Sequence, residues 1–132
     1  MITKINHIAI VVQDLDLALA AYHHTLGLPI GDRRVMEEQA VEIAFLPAGD
    51  SQIELIRPIS DDSGVAKYLA KRGEGLHHIC LEVEDVDAAL AEMQARGAQL
   101  INQAPVQAAE GRAFFLHPKG THGVLIELLQ TE

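Results

Sequence analysis

Apolar and polar positions along this chain follow a pattern that occurs twice. Residues 5–30 and 76–101 align without a gap at a spacing of 71. The alignment sets His7 against His78, Val12 against Val83, Asp14 against Asp85, Asp16 against Asp87 and Leu19 against Leu90. A repeat of this kind decides how the whole fold is read, because each copy is one supersecondary unit. The apolar runs HIAIVV and HICLEV predict a strand opening each copy. Asp14 and Asp85 stand where a helix cap belongs, since a short acceptor side chain satisfies amides left open in the first turn. Leu15, Ala18, Leu19, Tyr22 and Leu26 then recur at helical spacing, as do Val86, Ala89, Leu90 and Met93. Gly27 and Gly97 mark the stops, and a second strand is expected toward Ile30 and Ile101.

The remainder of each copy is also alike. VEIAFL at Val41–Leu46 and RAFFL at Arg112–Leu116 are each followed by a glycine-bearing turn and a last strand, QIELIR or VLIELLQ. Glu54 falls opposite Glu127 in the shared triplet Ile-Glu-Leu. The expected fold is therefore α+β, with two tandem βαβββ modules forming a curved mixed sheet around a metal site. We expect one domain over 1–132, with module one at about 1–58, a linker helix within about 59–75 and module two at about 76–132. Ser63 and Gly73 bracket the linker helix as cap and stop.

Composition narrows the functions. The 132 residues include a single cysteine, Cys80, so no disulfide can form within the chain. The net charge of -9 disfavours nucleic acid as a partner, because phosphate backbones are repelled. No apolar run approaches the roughly 18 residues of a membrane helix, and no leader pattern opens the chain. We expect a cytoplasmic protein with no membrane partner.

Taken singly, a glutamate within a strand is usually a solvent-facing residue, and a histidine at a strand start is usually an ordinary edge residue. The repeat changes that balance. Each copy offers one histidine opening its first strand and one glutamate inside its last strand. A pseudo-twofold arrangement would bring His7, Glu54, His78 and Glu127 to one point. Two nitrogen and two oxygen donors suit a divalent ion, with two six-coordinate positions left for substrate. A structural zinc site would instead favour thiolates.

These four residues and the doubled βαβββ pattern resemble the vicinal oxygen chelate superfamily, which contains glyoxalase I, extradiol dioxygenases and bleomycin-sequestering proteins. Within it, SGVAKYLAKRGEGLHHI and FLHPK…GVLIEL are most similar to the methylmalonyl-CoA epimerase family. The segment PVQAAEG at Pro105–Gly111 departs from that family's glycine-rich turn. The resemblance implies epimerisation of methylmalonyl-CoA by removal of the C2 proton through a metal-stabilised enolate. It implies an acyl-CoA substrate, a homodimer and a divalent metal ion, Co2+ ahead of Mn2+, Ni2+, Mg2+ or Zn2+. It also offers Glu42 and Glu127 as the two bases. Strand alternation groups Glu42 with Ala44 and Leu46, a face that would turn Glu42 into the cavity. His117 could contact substrate and Lys119 could meet a CoA phosphate. The alternatives are a glyoxalase I-type isomerase acting on a glutathione hemithioacetal and a non-catalytic small-molecule binding protein.

Overall fold

The structure is a computed structural model that describes all residues from Met1 to Glu132. Its strands are β1 (Ile2–Val11), β2 (Arg33–Met36), β3 (Val41–Ala48), β4 (Ser51–Pro58), β5 (Gly75–Val83), β6 (Val106–Gln107), β7 (Gly111–Leu116) and β8 (Ile126–Thr131). Its α-helices are α1 (Leu15–Leu19), α2 (Gly64–Arg72) and α3 (Val86–Ala95). The order β-α-β-β-β occurs twice, with α2 between the copies, and the class is α+β as expected. None of the helices is long and apolar enough to cross a membrane.

By packing, the chain divides into two compact units. One is Ile8–His77, and the other joins Met1–His7 to His78–Glu132. The first seven residues thus pack with the second copy of the repeat.

In the unit Ile8–His77, β3 pairs antiparallel with both β2 and β4. Asp14 caps α1 by accepting from the Leu17 amide. Leu15 and Leu19 of α1 pack with Val12, Ala44, Leu46 and Leu55 as the core of this unit. The register pairs Ala44 with Leu55 and Phe45 with Glu54. Because neighbours along a strand alternate between faces, Glu42, Ala44 and Leu46 share the helix-covered face. Ile43, Phe45 and Glu54 share the opposite one. Beyond Leu19 the helix widens into a π-helical segment, Ala20–Thr25, in which the Leu26 amide donates to the Ala21 carbonyl. That widening rotates later residues off the 3.6-residue stripe. Leu26, grouped with the buried stripe by spacing, is 66% exposed. The second strand also starts later than expected, at Arg33 rather than near Ile30.

In the other unit, β8 lies parallel to β5 and antiparallel to β7. Asp85 caps α3 through the Ala88 amide. Val86, Ala89 and Leu90 pack on Val83, Phe114 and Leu128. The Pro105–Gly111 segment is a tight hairpin. Its Gln107 side-chain amide donates to the Gly111 carbonyl at 3.1 Å, and the Ala108 amide donates to the same carbonyl at 2.7 Å. A Cβ on Gly111 would meet the Gln130 carbonyl oxygen at 2.0 Å, so β7 and β8 approach closely only because residue 111 has no side chain. Ser63 caps α2 through the Ala66 amide, and Gly73 (φ 77) ends it.

Candidate metal centre

His7, His78 and Glu127 belong to the same unit, and the structure brings them together. His7 sits within β1, His78 within β5 and Glu127 within β8. The β5–β8 register pairs Cys80 with Glu127, which sets His78 one alternation step away on the same face. All three are nearly inaccessible, at 4%, 6% and 4% exposure for His7, His78 and Glu127. Phe115, paired with Glu127 across β7–β8, presents its ring to His78 edge-on at 5.7 Å between centroids.

Three donor atoms face one another. His7 Nε2 lies 3.1 Å from His78 Nε2. Glu127 Oε1 lies 2.9 Å from His78 Nε2 and 3.4 Å from His7 Nε2. Adjacent ligands on an ion with bonds near 2.1 Å are about 3 Å apart, so this triangle has the size of one face of a coordination sphere. The donor set fits a divalent cation of intermediate softness. Cys80 is fully buried, and its sulfur lies within 4.8 Å of donor atoms of His7 and Glu127. Glu54, in the other unit, is 4% exposed on β4, on the face away from α1.

Burial alone would push the Glu127 carboxyl up. Hydrogen bonds from His7 and His78, together with their charge, outweigh it and bring the group down to about 2.

His7 has a further partner that the sequence did not reveal. Its Nδ1 lies 2.7 Å from Oδ1 of Asn6, itself only 6% exposed. The Asn6 amide nitrogen donates to Glu82 Oε1 at 2.8 Å. The repeat sets Asn6 opposite His77, so repetition carried no sign of this role.

Glu42 is placed differently from the expectation that it turns toward the ligands. The face it shares with Ala44 and Leu46 is the one under α1, opposite that of Glu54. Its carboxylate accepts from Arg33 Nε at 2.9 Å and from Arg57 Nε and Nη2 at 3.2 and 3.0 Å. Hydrogen bonding from Arg33, ahead of that from Arg57, holds it below the usual carboxylate range despite partial burial. Arg33 also reaches Asp16 on α1 at 2.9 Å, so the cluster ties β2, β3 and β4 to the helix. His117 is exposed and caps a short 3-10 turn, its Nδ1 accepting from the Lys119 amide at 3.0 Å.

The model of the Glyoxalase/Bleomycin resistance protein/Dioxygenase superfamily matches residues 6–130. The chain belongs to this superfamily. It is 39% identical to the ethylmalonyl-CoA/methylmalonyl-CoA epimerase of Cereibacter sphaeroides, over 98% of this chain and 99% of that one. The crystal structure of methylmalonyl-CoA epimerase from Mycobacterium tuberculosis superposes with a TM-score of 0.92 at 34% identity, over 99% of this chain and 89% of the other. A variant of the Streptomyces coelicolor methylmalonyl-CoA epimerase, in complex with 2-nitronate-propionyl-CoA, gives a TM-score of 0.91 at 40% identity, over 99% and 96% of the two chains. The fold of the chain is that of the superfamily; epimerases are among the enzymes it resembles at full length, and a probable lactoylglutathione lyase of Vibrio cholerae matches 98% of this chain and 91% of its own at 26% identity.

Proposed function

We propose that this chain is a metal-dependent methylmalonyl-CoA epimerase working as a single domain, with the ion held by His7, His78, Glu127 and Glu54. The observation that carries this reading is the triangle of His7 Nε2, His78 Nε2 and Glu127 Oε1, closed to 2.9–3.4 Å inside a protein interior. Like lone pairs gather at that spacing only around a shared proton or a cation. Full-length similarity to epimerases supplies the substrate class, an acyl-CoA.

The reaction removes a proton from C2 of a malonyl thioester and returns one to the opposite face. A divalent cation, when bound, supplies a Lewis acid for the thioester oxygen, and Co2+ is our first candidate. The chain's own part is to place a buried carboxylate beside C2. Glu127 serves as ligand and as the proton carrier on one face of C2 in this reading, and water from solvent returns a proton to the other face. In the arrangement seen here the two imidazoles hold it near 2, where it is a poor base. In ligation both Nε2 lone pairs would face the ion and those hydrogen bonds would be lost, while the ion's own charge would still act on the Glu127 carboxylate. Glu42 is assigned to anchoring α1 rather than to proton transfer, because two guanidinium groups saturate it on the far face of β3.

The test is loss of the C2 proton of methylmalonyl-CoA in deuterated water, followed by NMR, with metal-stripped protein and again after Co2+ is added. Exchange that starts on metal addition is the expected result. Turnover of a glutathione hemithioacetal with no exchange at C2 would replace this reading with a glyoxalase-type one.

A further inference from the structure

The pair Asn6–Glu82 stands behind the candidate ligands and takes no part in the reading above. An asparagine amide nitrogen only donates, and a carboxylate oxygen accepts. The contact of 2.8 Å between Asn6 Nδ2 and Glu82 Oε1 therefore fixes which way the amide faces, since the flipped orientation would oppose two acceptors. With the nitrogen committed to Glu82, it is Oδ1 that faces His7 Nδ1, at 2.7 Å. Oδ1 has only lone pairs, so His7 must carry its hydrogen on Nδ1. Nδ1 therefore keeps its hydrogen whether or not Nε2 donates to Glu127, and in the neutral ring Nε2 is a lone pair aimed at His78 and Glu127.

We propose that Asn6, locked by Glu82, is a positioning residue that holds His7 in the Nδ1–H tautomer and so keeps its Nε2 ready to bind a divalent ion. The proposal rests on the metal-site reading for its purpose but not for its geometry. Burial matters here. Asn6 and His7 are 6% and 4% exposed, so water cannot readily take over the amide's role. Partners of this kind fix ring orientation as well as tautomer, and losing one weakens metal binding by about 10–100-fold.

The test combines two readings on the same proteins. Nitrogen-15 NMR of the metal-free chain reports which imidazole nitrogen of His7 is protonated, and calorimetric titration with Co2+ reports affinity. The wild type is expected to show His7 protonated at Nδ1. Asn6→Leu is expected to lose that preference and to bind Co2+ about 10–100-fold more weakly. Glu82→Ala leaves Asn6 in place but unlocks it, and is expected to fall between the two; it sits at a half-buried position and guards against a folding failure in the first variant. Asn6→Asp combined with Glu82→Gln swaps donor and acceptor while keeping an acceptor on His7, and is expected to restore both readings. If Asn6→Leu folds with the tautomer and the affinity unchanged, the proposal is overturned. If the wild type takes up no Co2+ while its tautomer still follows Asn6, the metal reading fails and the positioning role stands.

Discussion

Glu42 and Glu127 are both strand glutamates inside clusters of nitrogen donors, yet they are built for opposite purposes. Glu42 lies under α1 and is gripped by Arg33 and Arg57. Glu127 lies on the face of β8 away from α3's core residues and is approached by His7 and His78. Both carboxyls are held below their ordinary range. The difference is in the partner. A guanidinium stays protonated at any working pH and can only hold a carboxylate still. An imidazole can give up its hydrogen bond and offer a lone pair instead. Permanent cations thus mark a strut, and ionisable ones mark a place where chemistry can occur.

The sharpest way to break that contrast is to remove a histidine. His78→Ala should abolish stoichiometric metal uptake, read by elemental analysis, and lower exchange at C2 by on the order of 10³-fold. Glu127→Gln should cost about 10²–10⁴-fold in the same exchange assay, because the carboxylate is both ligand and proton carrier. Glu42→Gln should leave exchange within about twofold and instead cost about 1–2 kcal/mol in denaturant unfolding, as charge-assisted hydrogen bonds to two half-exposed arginines are lost. Full loss of exchange in that variant would return Glu42 to the reacting atoms.

Acid sharpens the contrast further. Both carboxyls have folded pKa values below the unfolded value of about 4.3, so each contributes stability that is fully present above that value and lost as pH falls. For Glu127 the loss extends down toward about 2. Metal-free protein should therefore lose stability steadily below about pH 4, and Glu42→Gln should show a shallower slope there in urea titrations.

Much of this was legible beforehand, for identifiable reasons. Asp14, Ser63 and Asp85 cap helices as their side-chain chemistry requires, and the repeat alone grouped His7, Glu54, His78 and Glu127, of which His7, His78 and Glu127 form the triangle of donor atoms. Alternation grouped Glu42 correctly with Ala44 and Leu46, but a period of two cannot say which group lies under the helix. Leu15 and Leu19 decide that, through contacts distant in sequence. The π-helical turn at Ala20–Thr25 was invisible because its stripe matches an α-helix until Leu26. Asn6 carries no such signal, because its contact with Glu82 spans 76 residues of sequence.

The central claim, that these donors hold one ion, is tested most directly by anomalous diffraction from crystals grown with Co2+. The account predicts a single strong peak about 2 Å from Nε2 of both His7 and His78, with carboxylate oxygens of Glu127 and Glu54 completing the set. A difference map without a peak there, or with the ion bound elsewhere, would contradict it.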